Sequence, residues 1–175
     1  MTIPAHKFLH IKNYESNGYW DFWQRQNQIS GQDYETICGL LDSIKGKLDD
    51  GGGSEANCGS GQIMAYINDP AGRLCDWGIP RTECYGVRLP PDYQGEVPPQ
   101  MLMMDVPEAE YIVFEHGPFN YEQENRSVED KIERAMAEFD FSGTGYCLDT
   151  SPGRIMYFYF NPEQYFKYIR PVRKA

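Results

Sequence analysis

The feature of this sequence that most constrains its fold is a similarity between two halves of the chain. Residues 61–70 read GQIMAYINDP and residues 153–162 read GRIMYFYFNP, so both begin with Gly-x-Ile-Met and end with an Asx-Pro pair. Each stretch follows a segment of helical periodicity. Each also precedes a strand with a β-branched residue before arginine, at Val87-Arg88 and at Ile169-Arg170. Three matches in the same order predict a duplicated β-α-β-β unit.

The two predicted helices carry matching apolar stripes. One helix is predicted over residues 33–48 with Asp33 as its N-cap, and the other over residues 127–139. Ser127 and Asp130 resemble a capping box at the start of the second helix. Each spacing places the apolar residues on one helix face, and the two stripes superpose at a constant offset over most of their length. The first stripe is Ile37, Leu40, Leu41, Ile44 and Leu48, and the second is Val128, Ile132, Ala135, Met136 and Phe139.

Short apolar or alternating segments bounded by Gly, Pro and Asx residues predict the strands. They lie at residues 6–15, 62–67, 82–89, 101–106, 110–116, 154–160 and 165–170, and Asn68-Asp69-Pro70 is expected to end the second of them. We therefore predict an α+β fold of tandem β-α-β-β repeats. The repeats would share an antiparallel sheet about a pseudo-twofold axis, with two helices and a central groove. One domain is expected over residues 1–175, with repeat one at about 5–90 and repeat two at about 106–174.

Charge and cysteine content exclude several classes of function. The formal net charge of −10 argues against direct nucleic-acid binding by this chain, because phosphate binding needs concentrated positive charge. The sequence has no apolar run long enough for a membrane span and no signal segment, and its 5 cysteines form no CxxC pair. We therefore predict a cytoplasmic protein with reduced thiols and no membrane association. No zinc spacing or phosphate-binding loop is present, so no cofactor and no metal are expected.

Aromatic residues make up 14% of the chain, and such residues often line binding sites. Tyr157 and Tyr159 are two positions apart and therefore share one strand face. Met156, Phe158 and Phe160 occupy the other face and suit packing against helices. The two tyrosines are then expected to face the junction between the repeats as ligand-binding residues. The alternative is an amphipathic strand with a solvated tyrosine face.

Residues 16–31 interrupt the duplication with an aromatic insertion. Trp20 and Trp23 are three positions apart within it and would share a face on a short helix. We predict that this insertion forms a flap over the groove, with at least one of these residues in contact with a ligand. The alternative is a satellite hydrophobic cluster under a long loop.

Three residues of the predicted third strands complete the candidate ligand-binding site. Tyr85 in the first repeat is expected at the level of Lys167 in the second, so both would approach the junction. Glu83 shares the strand face of Tyr85 and would supply a carboxylate. The alternative for both charged residues is a solvated position on the strand.

Histidines give no evidence of catalysis. His6 and His10 lie on a predicted strand, which is not the helical arrangement of a metal pair. His116 precedes Gly117-Pro118, and no Ser/His/Asp or Cys/His pattern with recognisable context accompanies it. We therefore assign no catalytic residue and interpret all three histidines as structural or solvated.

The run from Val106 to Pro118, VPEAEYIVFEHGP, resembles the strand signature of the GyrI-like small-molecule-binding domain. This is the effector-binding domain of many bacterial AraC-type and MerR-type transcriptional regulators. The tandem β-α-β-β order and the closing Ile169-Arg170-Pro171-Val172 are similar to the family as well, so the resemblance covers roughly residues 5–174. Its opening IPAHKFLHIKNYES and the later FSGTGY and YIRPV are most similar to effector domains of clostridial AraC-type regulators.

The resemblance implies a domain that binds a small organic effector in an aromatic groove, as in multidrug-binding regulators. DNA would be bound only through an attached helix-turn-helix domain, which is absent from this chain. The family commonly places an acid four residues before the proline of the last strand, whereas this chain has Lys167 there. A lysine facing the groove would favour an anionic or neutral polar ligand. Some relatives resemble hydrolases that open strained rings, so a free-standing hydrolase or a sequestering protein is the alternative function, and a protein-interaction module is a third.

Overall fold

The computed structural model describes residues 1–11, 41–48, 62–74, 80–99, 101–161 and 165–175. These residues form an α+β fold, with nine strands in one antiparallel sheet and a helix, α1, over Tyr121–Glu138. The strands are β1 (Thr2–Ile3), β2 (His6–Ile11), β3 (Gln62–Leu74), β4 (Pro80–Leu89), β5 (Met101–Val106), β6 (Ala109–His116), β7 (Tyr146–Leu148), β8 (Ile155–Asn161) and β9 (Tyr165–Lys174). Within these ranges no helix has the length and apolar character needed to cross a membrane.

The sheet is ordered symmetrically about its centre. Its strands follow the order β1-β6-β9-β8-β3-β4-β2-β5, and β7 pairs with one end of β9. Strands β6, β9 and β8 are the first, third and second strands of the second predicted repeat. Strands β3, β4 and β2, which follow them across the sheet, are the second, third and first strands of the first predicted repeat. Across the central pair, Met64 lies opposite Phe158 and Tyr66 lies opposite Met156, so superposing Met64 on Met156 exchanges the two pairs. The tandem duplication stays a prediction, and this strand order is the one that it requires.

The third strands of the two halves match differently from the sequence prediction. Ala65 lies opposite Cys84, and its counterpart Tyr157 lies opposite Ile169. Superposing the second strands therefore places Cys84 on Ile169. The predicted match of Val87 with Ile169 is wrong, because strand pairing, rather than the similarity of the two dipeptides, sets the level of each residue.

Two buried clusters cover the two faces of the sheet. On the helix face, Met156 and Phe158 belong to the same cluster as residues of α1, as their alternation predicted. The opposite face, called here the tyrosine face, has its own cluster. Its members include Phe8, Ile63, Ala65, Ile67, Cys84, Tyr111, Ile155, Tyr157, Tyr159 and Ile169.

Helix α1 begins earlier than its apolar stripe predicted. Its N-cap is Asn120, whose side chain accepts a hydrogen bond from the backbone N–H of Gln123 at 3.0 Å. Ser127 is an interior residue whose hydroxyl donates to the carbonyl of Glu124, so the predicted capping box at Ser127 is wrong. The sequence of the first turns has no apolar stripe, and Glu122 and Gln123 are exposed, so periodicity could not detect them. Three members of the stripe are buried, namely Val128, Ile132 and Met136, whereas Ala135 and Phe139 are exposed.

The first predicted helix is described only at its end. Residues 41–43 are helical, and Leu41 and Ile44 are buried in the cluster of the helix face. Leu48, predicted as the last member of the stripe, lies beyond the helix and is 48% exposed. Its backbone N–H instead donates to the carbonyl of Arg88 at 2.9 Å, so the chain has already left the helix at this point. The other members of this stripe lie outside the described residues.

Strand β3 does not end at the Asn68-Asp69-Pro70 sequence. It continues to Leu74, with a shift in its register against β4 between Asn68 and Arg73. Asn68 is tied to the chain before β8, because its N–H donates to Arg154 and its carbonyl accepts from Gly153. An Asx-Pro signal predicts a turn in an isolated chain, but these long-range pairs keep the segment extended.

Gly86 is required where β2 and β4 come closest. A Cβ atom at this position would clash with the carbonyl oxygen of Leu9 and would lie 2.8 Å from the Cα atom of His10. Both contacts are with backbone, which has little freedom to move within the sheet. We expect Gly86→Ala to lower the free energy of unfolding by about 1–3 kcal/mol, measured by urea denaturation.

Gly143→Ala is the matched control for this substitution. Gly143 has a φ of 77°, and an added Cβ atom there meets no other atom within 4 Å. Its cost is the left-handed conformation alone, about 1 kcal/mol. An effect of Gly86→Ala no larger than that of Gly143→Ala would contradict the close approach of β2 and β4.

Candidate functional site

Tyr157 is the centre of the tyrosine face and contacts side chains from several strands. Its hydroxyl is 2.5 Å from Nε2 of His6, and its ring centroid is 5.6 Å from that of Phe8 and 6.4 Å from that of Tyr111. The guanidinium carbon of Arg88 lies 5.6 Å from the same ring centroid, in cation–π range. Tyr157 is 0% exposed, and burial raises the pKa of its hydroxyl well above the ordinary value.

These contacts require the sheet to curve towards the tyrosine face. Strands β3 and β4 lie between β8, which carries Tyr157, and β2, which carries Phe8. On a flat sheet, side chains three strands apart would be separated by about 14 Å. The observed centroid distance is 5.6 Å, so the tyrosine face is concave and its two halves lean together over its middle.

Tyr159 and Lys167 lie beside this centre on neighbouring strands. They are directly opposite each other in the β8–β9 pair, and Nζ of Lys167 is 5.4 Å from the ring centroid of Tyr159. Glu115 follows on β6, opposite Lys167. The structure thus brings Tyr157, Tyr159 and Lys167 to one face. Tyr159 is 5% exposed and Lys167 is half-buried, so the solvated tyrosine face that we considered as an alternative is not what the structure has.

Tyr111 places a buried hydroxyl at the β6 side of the tyrosine face. Its oxygen has no hydrogen-bond partner among the described residues, and burial is the main cause that raises its pKa to about 12. Arg154 and Arg88 are close enough to oppose that shift, and Asp149 is close enough to add to it. At neutral pH the group is therefore a protonated hydroxyl with a hydrogen bond left to donate.

An ion pair between buried Asp149 and half-buried Arg154 lies near Tyr111, in the segment between β7 and β8. Nε of Arg154 donates to Oδ2 of Asp149 at 2.8 Å, and the N–H of Ser151 donates to Oδ1 at 3.1 Å. Burial raises the pKa of Asp149, but the hydrogen bonds from Ser151 and the nearby Arg154 cation outweigh it and hold the pKa below the ordinary value. Nη1 of Arg154 is buried and, like the Tyr111 hydroxyl, has no hydrogen-bond partner in the part of the chain that the structure describes.

The remaining predicted site residues are only partly described. Trp20 and Trp23 lie outside the described residues. Glu83 and Tyr85 belong to β4, opposite Tyr66 and Met64, and their side chains are likewise outside the description.

The predicted level of Tyr85 is wrong. Tyr85 follows Cys84, which superposes on Ile169 when the second strands of the two halves are aligned. Its counterpart is therefore Arg170 rather than Lys167. The error has the same cause as the mismatch of the third strands, since the sequence offers no direct measure of strand register.

The histidines behave as structural residues, although His6 belongs to the centre of the face. His6 is buried between Tyr157 and the carbonyl of Pro4, and His10 stacks on Phe8 at 5.4 Å. His116 is half-buried, 3.8 Å from a carboxylate oxygen of Glu124. In the ranges given above, no three His, Cys, Asp or Glu residues are grouped as metal ligands.

Sequence reasoning missed the residues that surround Tyr157. His6, Phe8, Arg88 and Tyr111 come from three strands, and each lies on the tyrosine face by simple alternation. Alternation alone could have placed Tyr111 on the face of β6 that does not pack on α1. The convergence on Tyr157 had no sequence signal, because it depends on the curvature of the sheet.

Two surface grooves among the described residues lie beside β6 rather than over Tyr157. One, of about 420 Å³, is lined by Tyr111, Val113, Phe139, Phe141 and Tyr146 among others, and the second lies between β6 and α1. Tyr157 lines neither of them. The predicted groove at the junction of the repeats stays a prediction, because neither of these two grooves lies there.

Comparisons with solved structures show the fold. The crystal structure of the EcmrR C-terminal domain is similar with a TM-score of 0.51 and 11% identity, over 100% of this chain and 96% of that one. The structure of SAV2435 bound to tetraphenylphosphonium is similar with a TM-score of 0.50 and 12% identity, over 99% and 92% of the two chains. The EcmrR chain in a cryo-EM complex with DNA matches with a TM-score of 0.51 and 9% identity, and this chain spans 56% of its length. No family model and no curated protein matches the sequence.

Proposed function

We propose that this chain binds a small organic molecule on the concave tyrosine face. The observation that supports this most directly is the convergence of aromatic and cationic side chains from β2, β4 and β6 on the Tyr157 ring of β8. Flat rings bury large areas of an organic ligand at low entropic cost. Solved structures of the same fold include SAV2435 with tetraphenylphosphonium, a lipophilic cation.

Ligand binding at this face would be coupled to a change in the protein. Because Tyr157 is fully buried, a ligand that stacks on its ring must displace the side chains that now cover it. Such a displacement would alter how the two halves of the curved sheet lean together. A ligand that prefers the displaced arrangement shifts the population towards it, which is the physical requirement for a sensor.

We infer that the chain serves as the ligand-sensing domain of a bacterial transcriptional regulator, or is a homologue of one. EcmrR, whose C-terminal domain has this fold, has been solved in complex with DNA. In such an arrangement, an attached helix-turn-helix domain would bind the DNA, and ligand occupancy here would change its placement.

The proposed contacts combine residues on the tyrosine face with residues from the sequence prediction. Tyr157, Tyr159 and Lys167 lie together on that face. We keep Trp20 and Trp23 as proposed ligand-binding residues. Tyr85 and Glu83 lie opposite Met64 and Tyr66 of the helix-face cluster, so the register of β4 puts them on the other face of the sheet. The Lys167 cation beside Tyr159 would favour an anionic or polar group in that part of the site.

A thermal-shift titration with three probes of matched shape tests this function. The probes are tetraphenylphosphonium, tetraphenylborate and triphenylphosphine oxide, which are cationic, anionic and neutral. A probe at a hundred times its Kd stabilises the native state by about 2.7 kcal/mol, which raises the Tm by roughly 5–10 °C. We expect at least one probe to give a saturable rise. Absence of a saturable rise with all three would contradict the proposed function.

A charge-reversal variant locates the binding site. Lys167→Glu should shift the preference towards tetraphenylphosphonium by about tenfold relative to tetraphenylborate, because the reversed charge lies beside the Tyr159 ring. Lys131→Glu on the exposed surface of α1 makes the same change in net charge and is the control. Equal shifts in the two variants would place the bound probe away from the tyrosine face.

A further inference from the structure

Two buried hydrogen-bond donors at the β6 side of the tyrosine face have no acceptor within the described ranges. They are the hydroxyl of Tyr111 and Nη1 of Arg154, and both atoms are shielded from solvent. Tyr111 as a whole is only 2% exposed. Buried polar atoms are nearly always satisfied in folded proteins, so a pair of unsatisfied donors in one region calls for a physical explanation.

The two donors belong to the same corner of the molecule. Tyr111 lies opposite Pro171 in the β6–β9 pair, and the carbonyl of Pro171 accepts a hydrogen bond from the N–H of Asp149 at 3.0 Å. The carboxylate of Asp149 in turn holds Nε of Arg154 at 2.8 Å. A short chain of contacts thus connects Tyr111 to Arg154, and Tyr111 contacts the ring of Tyr157 at 6.4 Å between centroids.

The groups near the two donors do not satisfy them. Both oxygens of Asp149 already accept hydrogen bonds, one from Ser151 and one from Nε of Arg154. A guanidinium group has donors and no acceptor, and a tyrosine hydroxyl that stays protonated offers its hydrogen. The chemistry complementary to this pair is therefore an unprotonated oxygen, and an anionic oxygen forms the stronger hydrogen bonds.

We propose that the ligand of the tyrosine face carries a carboxylate, which accepts hydrogen bonds from the Tyr111 hydroxyl and from Nη1 of Arg154. This inference rests on the proposed function and specifies the class of ligand. The aromatic part of the ligand would stack on the Tyr157 side of the face, and the carboxylate would lie towards β6. A cation without hydrogen-bonding atoms, such as tetraphenylphosphonium, would leave both donors unsatisfied.

Two probes with the same ring test the inference, namely 1-naphthaleneacetate and (1-naphthylmethyl)trimethylammonium. Their Kd values are measured by calorimetric titration against the wild-type protein, Tyr111→Phe and Arg154→Lys. We expect the acetate to bind the wild type at least tenfold more tightly than the ammonium probe. Tyr111→Phe should weaken the acetate about tenfold and leave the ammonium probe unchanged. Tyr93→Phe is the control and should change neither Kd. It removes a hydroxyl that donates to the carbonyl of Glu96, in the segment between β4 and β5.

The unliganded variant gives a readout that does not depend on a probe. Tyr111→Phe removes an unsatisfied hydroxyl without changing the ring, so its Tm should equal or exceed that of the wild type. A lower Tm would show that the hydroxyl has a partner, such as an ordered water, and would overturn the proposal. Equal weakening of both probes, or tighter binding of the ammonium probe, would also overturn it while leaving the proposed function intact. Binding of neither naphthalene probe, with a saturable response to tetraphenylborate or tetraphenylphosphonium, would likewise reject the carboxylate and not the site.

Discussion

Tyr157→Ala should lower the free energy of unfolding by about 3–5 kcal/mol, measured by urea denaturation at neutral pH. The substitution removes a ring that is fully buried and that contacts Phe8 and Tyr111, which come from strands on either side of β8 in the sheet. It also removes the hydroxyl that hydrogen-bonds with Nε2 of His6. Because these neighbours come from distant strands of a curved sheet, the cavity cannot close by a small local movement, and the cost should lie in the upper part of the range for aromatic residues.

Tyr157→Phe separates the hydroxyl from the ring. This variant keeps the packing against Phe8 and Tyr111 and removes only the hydrogen bond with His6, so we expect a loss of about 1–3 kcal/mol. Tyr93→Phe is the control, because Tyr93 is only partly buried and its hydroxyl bonds at 3.4 Å. A loss for Tyr157→Ala below about 1 kcal/mol would mean that the strands do not converge on this ring.

Asp149→Ala should lower the free energy of unfolding by about 3 kcal/mol at neutral pH. Asp149 is 4% exposed, and the substitution leaves the Arg154 guanidinium without its carboxylate. It also removes the acceptor for the N–H of Ser151, which shapes the segment between β7 and β8. Asn68 donates to the carbonyl of Asp149 at 3.0 Å and connects this segment to β3. We therefore expect the substitution to destabilise the centre of the sheet as well.

The contribution of Asp149 should depend on pH with a defined sign. The pKa of its carboxyl is lower in the folded protein than the ordinary value of 3.8, so the unfolded state binds the proton more tightly. The stabilisation is therefore complete at pH values above 3.8, and it is lost as the pH falls through the pKa that Asp149 has in the folded protein. Asp149→Asn keeps an oxygen acceptor and removes the titration, so its unfolding free energy should decline less than that of the wild type between pH 5 and pH 3. Equal declines in the wild type and in Asp149→Asn would show that Asp149 is not the source of this pH dependence.

Short apolar or alternating segments predicted most of the strands, because the central strands place alternate residues in the helix-face and tyrosine-face clusters. This alternation placed Met156 and Phe158 on the helix face correctly. It failed where polar groups make the structure, as at the start of α1, where the side chain of Asn120 caps a turn without apolar residues. It failed again at β3, where backbone bonds of Asn68 to a segment far along the chain keep the strand extended.

The candidate site was predictable only one strand at a time. The spacing of Tyr157 and Tyr159 placed them on one face, and the family resemblance drew attention to Lys167. The partners of Tyr157 could not be predicted, because a contact between β2 and β8 depends on how strongly the intervening strands bend. Strand register could not be predicted from the sequence either. The prediction that Tyr85 lies at the level of Lys167 is wrong for this reason.

The buried position of Tyr157 has a consequence for how such a receptor would respond to concentration. If conformers with an accessible ring make up about one molecule in a hundred, the apparent Kd of any ligand is about a hundredfold weaker than its intrinsic value. Trace amounts of a weakly matched compound would then leave the receptor unoccupied, whereas an abundant or well-matched compound would saturate it. Substitutions that loosen the centre of the sheet would lower this threshold and sensitise the receptor, even where they remove no contact with the compound itself.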